Sequence, residues 1–252
     1  MIGTKRFTTA SITISLNNSK GLENTLKTLL PSNLDQIIVV DGGSKDSSLK
    51  VIRDASNRDK RVIFISENDK GLYDAMNKGI ALSNCDYLIF INSGDYLFQK
   101  DFNLFHKAYR KNAALIIGRS ADCNNYQDFK KRKFFLKPRK PLWLLKFHMI
   151  THHQSIIFKK THDLKYDINY KIGGDFKLIT EIYSKKKKVL LTDDLISVNE
   201  NAGISSDYKL GLIEHLTILK TVYKYNLITL YVIKFYLLTR IYLFKVIRFL
   251  KR

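Results

Sequence analysis

Four short polar clusters in the first half of the chain carry the side chains best suited to chemistry: Asn17-Asn18, Asp41-Gly42-Gly43-Ser44-Lys45-Asp46, Glu67-Asn68-Asp69-Lys70-Gly71 and Asn92-Ser93-Gly94-Asp95. Asp41 offers a carboxylate that accepts a hydrogen bond while two glycines let the chain turn closely past it. Asp95 offers one hard oxygen donor, and a divalent cation such as Mg²⁺ or Mn²⁺ accepts a single protein carboxylate completed by other oxygens and waters. A second set lies downstream in His152-His153-Gln154-Ser155 and in Tyr166-Asp167, followed by Gly173-Gly174-Asp175. Asp175 precedes Leu178, Ile179 and Ile182, which follow helical spacing. It therefore suits a helix cap or a proton acceptor, and one aspartate can be both. Adjacent histidines are weak evidence for a metal, because neighbours on a strand point to opposite faces. Each cluster alone is also an ordinary turn, and Asp46 fits a cap of the helix 47–55 better than a ligand contact.

What gives the clusters weight is the framework that must position them. Short apolar runs at Ser11–Leu16, Gln36–Val40, Val62–Ser66 and Tyr87–Ile91 read as strands. Between them Leu22, Leu26, Leu29 and Leu30, then Leu49, Ile52 and Ala55, then Ala75, Ile80 and Leu82 follow helical spacing. Alternation of this kind predicts βαβ units and a mostly parallel sheet of the Rossmann-like α/β class with flanking helices. Ligands of such sheets bind beyond the carboxyl ends of the strands, where all four clusters fall.

Taken in order, these blocks resemble the inverting glycosyltransferases of the GT-A fold, specifically family 2, whose members assemble bacterial capsules, O-antigens and exopolysaccharides. The likeness covers roughly residues 10–205, and its most specific part is Gly71-Leu72-Tyr73-Asp74-Ala75-Met76-Asn77-Lys78-Gly79, similar to the GIYDAMNKG variant of the nucleotide-sugar segment. The resemblance implies a nucleotide-sugar donor, with UDP the usual nucleotide, contacted by Asn17, Asp41, Gly43, Asp69, Gly71, Asp74, Asn77, Lys78 and Asn92. It implies Asp41 as the contact to the base and Asp95 as the last carboxylate of a DxD-type motif binding Mg²⁺ or Mn²⁺. This chain has Asn92 where two acids are common. Asp175 is implied as the base that deprotonates the acceptor hydroxyl, although many relatives carry Glu-Asp where this chain has Gly174-Asp175. His153 and Gln154 match a His-Gln segment, on a strand, beside the acceptor. The Gln-x-x-Arg-Trp motif of processive members is absent, which implies transfer of a single sugar.

The net charge of +20 is not spread evenly. Residues 128–146 hold 8 basic and 1 acidic side chains, and residues 209–252 hold 9 and 1, together +15 of the excess. A nucleic-acid-binding protein more often spreads its basic residues over the fold or along one recognition element. Here the C-terminal basic stretch is also the most apolar part of the chain. From Leu227 onward Lys234, Arg240, Lys245, Arg248, Lys251 and Arg252 fall within an arc of about 140° on a helix of ~100° per residue. No charge-free run of the length a spanning helix needs is present. The expectation is a catalytic domain over residues 1–208 and a basic amphipathic helical tail over 209–252, lying on an anionic membrane surface or packed on the domain. Phe134, Phe135 and Trp143 among the lysines of 130–146 read as a second membrane contact.

Cys85 and Cys123 allow no disulfide framework. The start Met1-Ile2-Gly3-Thr4-Lys5-Arg6 lacks a leader's apolar core, so the expectation is a peripheral protein at the cytoplasmic face of the plasma membrane. Its expected partners are a nucleotide-sugar donor and a lipid-linked saccharide acceptor, with no nucleic acid. A basic nucleic-acid-binding protein and a catalytically inactive GT-A scaffold are the alternatives.

Overall fold

The computed structural model describes residues 6–137, 140–200 and 207–250, with Tyr208 and residues 240–250 described by their helical backbone alone. Residues 1–5 of the start read for a leader, Arg139 of the first basic segment, and the charges of Arg240, Lys245, Arg248, Lys251 and Arg252 lie outside the described side chains.

In chain order the first half comprises β1 (Thr9–Ser15), α1 (Ser19–Leu29), β2 (Gln36–Asp41), α2 (Ser48–Arg58), β3 (Val62–Ser66), α3 (Leu72–Leu82), β4 (Tyr87–Phe90) and β5 (Tyr96–Leu97). The second half comprises α4 (His106–Arg110), β6 (Leu115–Cys123), α5 (Tyr126–Lys130), β7 (Phe135–Leu136), β8 (Ile156–Lys159), α6 (Gly174–Ser184), β9 (Val189–Glu200), α7 (Tyr208–Tyr223) and α8 (Leu227–Leu250). The described strands form one sheet in the order β3-β2-β1-β4-β8-β6-β9-β5, with β7 paired to β6. β1 to β4 run parallel, as the βαβ spacing requires. β8 then runs antiparallel to both β4 and β6.

Period-two alternation sorts each central strand between two apolar layers. On β2, Ile38 and Val40 join Ala10, Ile12 and the α3 residues Tyr73, Ala75, Met76 and Ile80. Ile37 and Val39 face the other way onto Leu22, Leu26 and Leu29 of α1 and Ile52 and Ala55 of α2. Both faces are covered, which is why β1 is buried along its whole length. Gly79 lets α3 sit hard against the sheet: a Cβ there would stand 2.4 Å from Ile12 Cγ2.

The C-terminal helices build a third apolar layer. Ile218 and Leu219 of α7, with Leu230 and Ile233 of α8, close over Phe176 of α6 and are joined by Phe147, Met149 and Tyr170. Part of the tail is thus packed on the domain, and α8 also presents exposed Leu227, Ile228, Tyr231, Val232 and Phe235. Among the described residues no helix is long and apolar enough to cross a membrane.

A Gly79→Ala variant should lose about 1–3 kcal/mol to overpacking against Ile12. Urea unfolding checks this: the midpoint should fall with an unchanged slope, and an unshifted midpoint would mean that α3 is free to move off the sheet.

Candidate functional site

The ends of β1, β2 and β3 are tied by short side chains reaching across the strand termini. Asn17, at φ 50°, donates its N–H to Ser44 Oγ and accepts the Lys45 N–H through Oδ1 at 2.8 Å. Gly43, at φ 79°, makes the turn that brings Ser44 back over Asp41. Asp41 is fully buried, and its oxygens accept the Ser44 N–H at 3.0 Å, Ser44 Oγ at 2.5 Å and Ser66 Oγ at 2.7 Å. Asp46 accepts the first N–H of α2, from Ser48, and that of Ser19 at the start of α1. Those bonds hold its carboxyl down to about 2, as a shared helix cap should.

The third cluster closes around Lys78. Its Nζ lies 2.7 Å from Asp69, 2.9 Å from Glu67 and 3.6 Å from Asp74, and it also donates to the Asn68 carbonyl. Burial works against the ammonium charge, and the bonds to Asp69 and Glu67 outweigh it, so Lys78 is held above the ordinary lysine range. Asp74 accepts the Lys70 N–H ahead of α3. Gly71, at φ 124° and ψ 179°, turns the chain into that helix in a conformation that side chains exclude. Asn77 exchanges two hydrogen bonds with the backbone of Tyr166, at 2.9 and 2.8 Å, and so clasps α3 to the segment leading into α6.

Asn92, Asp95, His153, Gln154 and Asp175 line a single cleft of ≈ 780 Å³, within the ~300–1,000 Å³ range of small-molecule sites. Asn17, Asp41, Gly43, Asp69, Gly71, Asp74, Asn77 and Lys78 do not line it; they form the adjoining loop system, joined to the cleft through Asn18, whose Nδ2 donates to the Ser93 carbonyl. The Asn92–Asp95 turn is pinned by Thr25 of α1, which accepts the Gly94 N–H and donates to the Asp95 carbonyl. Gly94 permits it at φ 101°. Asn92 Oδ1 is buried with no hydrogen-bond partner.

Asp95 is half-buried. Gln154 Nε2 donates to its Oδ2 at 2.5 Å and the Glu200 N–H to its Oδ1 at 3.1 Å. Burial pushes its carboxyl up to about 6 in spite of those donors. Each oxygen retains a lone pair, so the residue fits a hard divalent cation completed by ligand oxygens and waters. No group of three or more His, Cys, Asp or Glu side chains among the described residues is arranged to hold such an ion. The fit is therefore to a cation that arrives with its own oxygen ligands.

Asp175 sits in the first turn of α6, its Oδ1 taking the Phe176 N–H at 2.8 Å. His153 Nδ1 stands 3.8 Å from its Oδ2. Burial pushes this imidazole below its ordinary value against the pull of Asp175, and its Nε2 is buried without a partner. Tyr73 Oη lies 3.5 Å from Asp175 Oδ1 but only 2.5 Å from the Ile172 carbonyl, so the carbonyl takes its proton. Gly174 is accounted for by the same ring: any Cβ at 174 would stand 2.6 Å from Tyr73 Cε2. The expected strand placement of the histidines is corrected here. Residues His153–Ser155 form a 3₁₀ turn ahead of β8, so His152 and His153 both line the cleft, and His152 Nε2 reaches Asp122 at 3.1 Å.

The sequence reading missed Tyr73 as a neighbour of Asp175, Glu200 beside Asp95, and Glu214. From α7, Glu214 accepts the N–H groups of Lys171, Ile172 and Gly173 at 2.8, 2.9 and 2.7 Å, directly ahead of α6. One signal was present: Glu214 is the only acid among nine basic residues in 209–252.

The sequence model of glycosyl transferase family 2 matches residues 11–165. A PGL/p-HBAD biosynthesis glycosyltransferase of Mycobacterium tuberculosis is 37% identical over 67 residues, 26% of this chain and 26% of that protein. The minor teichoic acid biosynthesis protein GgaB of Bacillus subtilis is 26% identical over 195 residues, 72% of this chain and 20% of its own length. This chain thus matches only about a quarter or less of either relative. Among solved structures, S. aureus TarS 1–349 in complex with UDP-GlcNAc superposes with a TM-score of 0.63 at 13% identity, over 85% of this chain and 65% of that one. The mannosyltransferase PcManGT of Pyrobaculum calidifontis, in complex with GDP-Man and Mn²⁺, gives 0.57 at 15%, over 88% and 64%. Likeness at that identity speaks for the fold, which is GT-A.

The raised carboxyl of Asp95 has a signed consequence. Its folded value of about 6 lies above the unfolded ~4, so ionisation costs the folded state stability as pH rises through that window. Asp95→Asn should be more stable than the parent at pH 7.5 by up to about 3 kcal/mol, with the gap closing towards pH 4. Chemical denaturation at the two pH values checks it, and a variant less stable at pH 7.5 would contradict it.

Proposed function

The chain belongs to glycosyl transferase family 2, and from that premise we propose that it moves one sugar from a nucleoside-diphosphate sugar, a UDP-sugar, to a lipid-linked saccharide with inversion at the anomeric carbon. We place this reaction at the cytoplasmic face of the plasma membrane, in the assembly of a cell-surface polysaccharide. The observation that carries the reading is the meeting of Asp95 and Asp175 in one cleft, although 80 residues separate them in sequence. The solved neighbours holding UDP-GlcNAc and GDP-Man, and the teichoic acid relative, support the donor and product classes.

In this reading the acceptor hydroxyl lies against Asp175. The carboxylate takes the hydroxyl proton as the oxygen attacks the anomeric carbon from the face opposite the diphosphate. The bond from that carbon to the diphosphate oxygen breaks, its electron pair leaves with the nucleoside diphosphate, and configuration inverts. His153, held neutral by burial, keeps one edge of Asp175 free of a competing cation. The diphosphate lies towards Asp95 and Asn92. A Mg²⁺ or Mn²⁺ ion held by Asp95 would supply neutralisation of the leaving charge there. Base recognition falls to the Asp41–Ser44 turn, where a uracil N–H would replace the serine hydroxyl that now occupies a carboxylate oxygen. Asn17, Gly43, Asp69, Gly71, Asp74, Asn77 and Lys78 hold the loops that shape this donor side. His153 and Gln154 face the acceptor and the Asp95 carboxylate respectively.

Asp175→Asn is the direct test. The variant should keep UDP-dependent thermal stabilisation in the presence of Mn²⁺, while turnover of UDP-sugars with a lipid-linked acceptor falls about 10²–10⁴-fold. Unchanged turnover would remove Asp175 from the base role, and no stabilisation of the parent by any nucleoside diphosphate would overturn the donor class.

A further inference from the structure

The end of the first basic stretch and the residues that follow it meet the C-terminal helices in the fold, Tyr225 Oη reaching the Lys146 carbonyl at 3.5 Å. Phe147 stacks on Tyr225 at 6.3 Å and His148 on Tyr236 at 6.5 Å. His215 Nε2 bonds the Phe147 carbonyl at 2.6 Å, and Trp143 packs edge-on against Phe147. The segment that follows the first basic stretch is thereby fastened along α7 and α8, which carry the second.

The surface so formed is apolar where a packed helix should be polar. On α8, Leu230 and Ile233 point inward and satisfy the domain. Leu227, Ile228, Tyr231, Val232 and Phe235 recur at i, i+1, i+4, i+5 and i+8 and form a second apolar stripe, each residue between 62% and 77% exposed. Trp143, 56% exposed, is linked to the start of α8 through Phe147 and Tyr225. The exposed charges on these elements are mostly basic: Lys146, Lys209, Lys220, Lys224 and Lys234 are exposed, whereas Glu214 is turned inward onto the N–H groups of 171–173 and the exposed Asp207 caps the start of α7. A second copy of the chain would set lysine against lysine across such a face. An anionic bilayer complements both the stripe and its rim.

We propose that the outer stripe of α8 and Trp143 dock this protein on an anionic phospholipid bilayer. The same docking holds the cleft rim beside the lipid, because the chain that carries Phe147 and His148 onto α7 and α8 continues directly as Met149, Thr151, His152 and His153, which line the cleft. An acceptor anchored in lipid then meets Asp175 without leaving the surface. This second statement rests on the transferase reading above; the docking itself does not.

Trp143 is the one tryptophan of the chain and a built-in reporter. Vesicles of phosphatidylcholine with phosphatidylglycerol should shift its emission to the blue and sediment the full chain, whereas phosphatidylcholine alone should do neither. A triple variant Ile228→Glu, Val232→Glu, Phe235→Glu should weaken sedimentation by about tenfold or more. Leu104→Glu, an equally exposed apolar site elsewhere, should leave it unchanged. Equal binding of triple variant and parent, or no binding of the parent, would overturn the proposal. So would a parent that is dimeric by light scattering, made monomeric by the triple change, and indifferent to vesicles. UDP-dependent thermal stabilisation is read on every variant: its loss throughout with vesicle binding intact would fell the transferase reading and leave the surface standing.

Discussion

Glu214 reaches from α7 to accept three consecutive main-chain N–H groups, those of Lys171, Ile172 and Gly173, and the geometry around Asp175 follows from that capture. A helix start leaves N–H groups without partners, and a carboxylate there satisfies them while complementing the positive end of the helix. From the other side Tyr73 Oη donates to the Ile172 carbonyl, so the loop is gripped through both its donors and its acceptor. Gly174 then lies flat against the Tyr73 ring, and α6 begins with Asp175 turned to the cleft. Tyr73 belongs to α3, the helix of the most specific sequence block, and Asn77 of the same helix clasps Tyr166. The loop ahead of α3 and the α6 aspartate are thus parts of one mechanical unit. Removing Glu214 would strand three N–H groups at the point where that unit is joined, each costing about 1–3 kcal/mol if left buried and unpaired.

What was legible in the sequence was local. Strands β1 to β4 show as apolar runs because they are buried on both faces, and the clusters at their ends show because turns and caps demand Asn, Asp, Gly and Ser. The GT-A fold came from the resemblance of the ordered blocks to family 2, and Asp175, expected to open or cap a helix, lies in the first turn of α6 with Gly173 at the cap position. Illegible were the contacts made across long separations. Tyr73 meets the Gly174-Asp175 pair from about a hundred residues upstream, Glu200 reaches Asp95 from as far downstream, and Gln154 turns its amide to Asp95 although its sequence neighbours argued for an acceptor contact. Asp41 looked like an open hydrogen-bond acceptor, and only the fold reveals that Ser44 and Ser66 bury it. The histidine pair misled because an apolar run after it hides the 3₁₀ turn that sets both rings into the cleft.

The concentrated charge takes on a different shape in three dimensions. The end of the first segment, Trp143–Lys146, is joined to the C-terminal helices, and the C-terminal stretch divides within itself. α7 completes the site through Glu214 and the packing of Ile218 and Leu219 on α6. α8 adds Leu230 and Ile233 to that layer and turns its remaining apolar side chains away from it. One face of α8 is packed on the domain, and the other carries the exposed stripe from which the docking proposal is argued.

The central claim is that the cleft shared by Asp95 and Asp175 takes the donor diphosphate. Hydrogen–deuterium exchange of the full chain with and without UDP and Mn²⁺ tests it most directly, because the probe needs no knowledge of the sugar or the acceptor. The account predicts slowed exchange at the 41–44 turn, at 92–95 and at 153–154. Exchange unchanged there, with protection instead around the lysine-lined pocket of ≈ 350 Å³ formed by Lys159, Lys165 and Lys187, would contradict it.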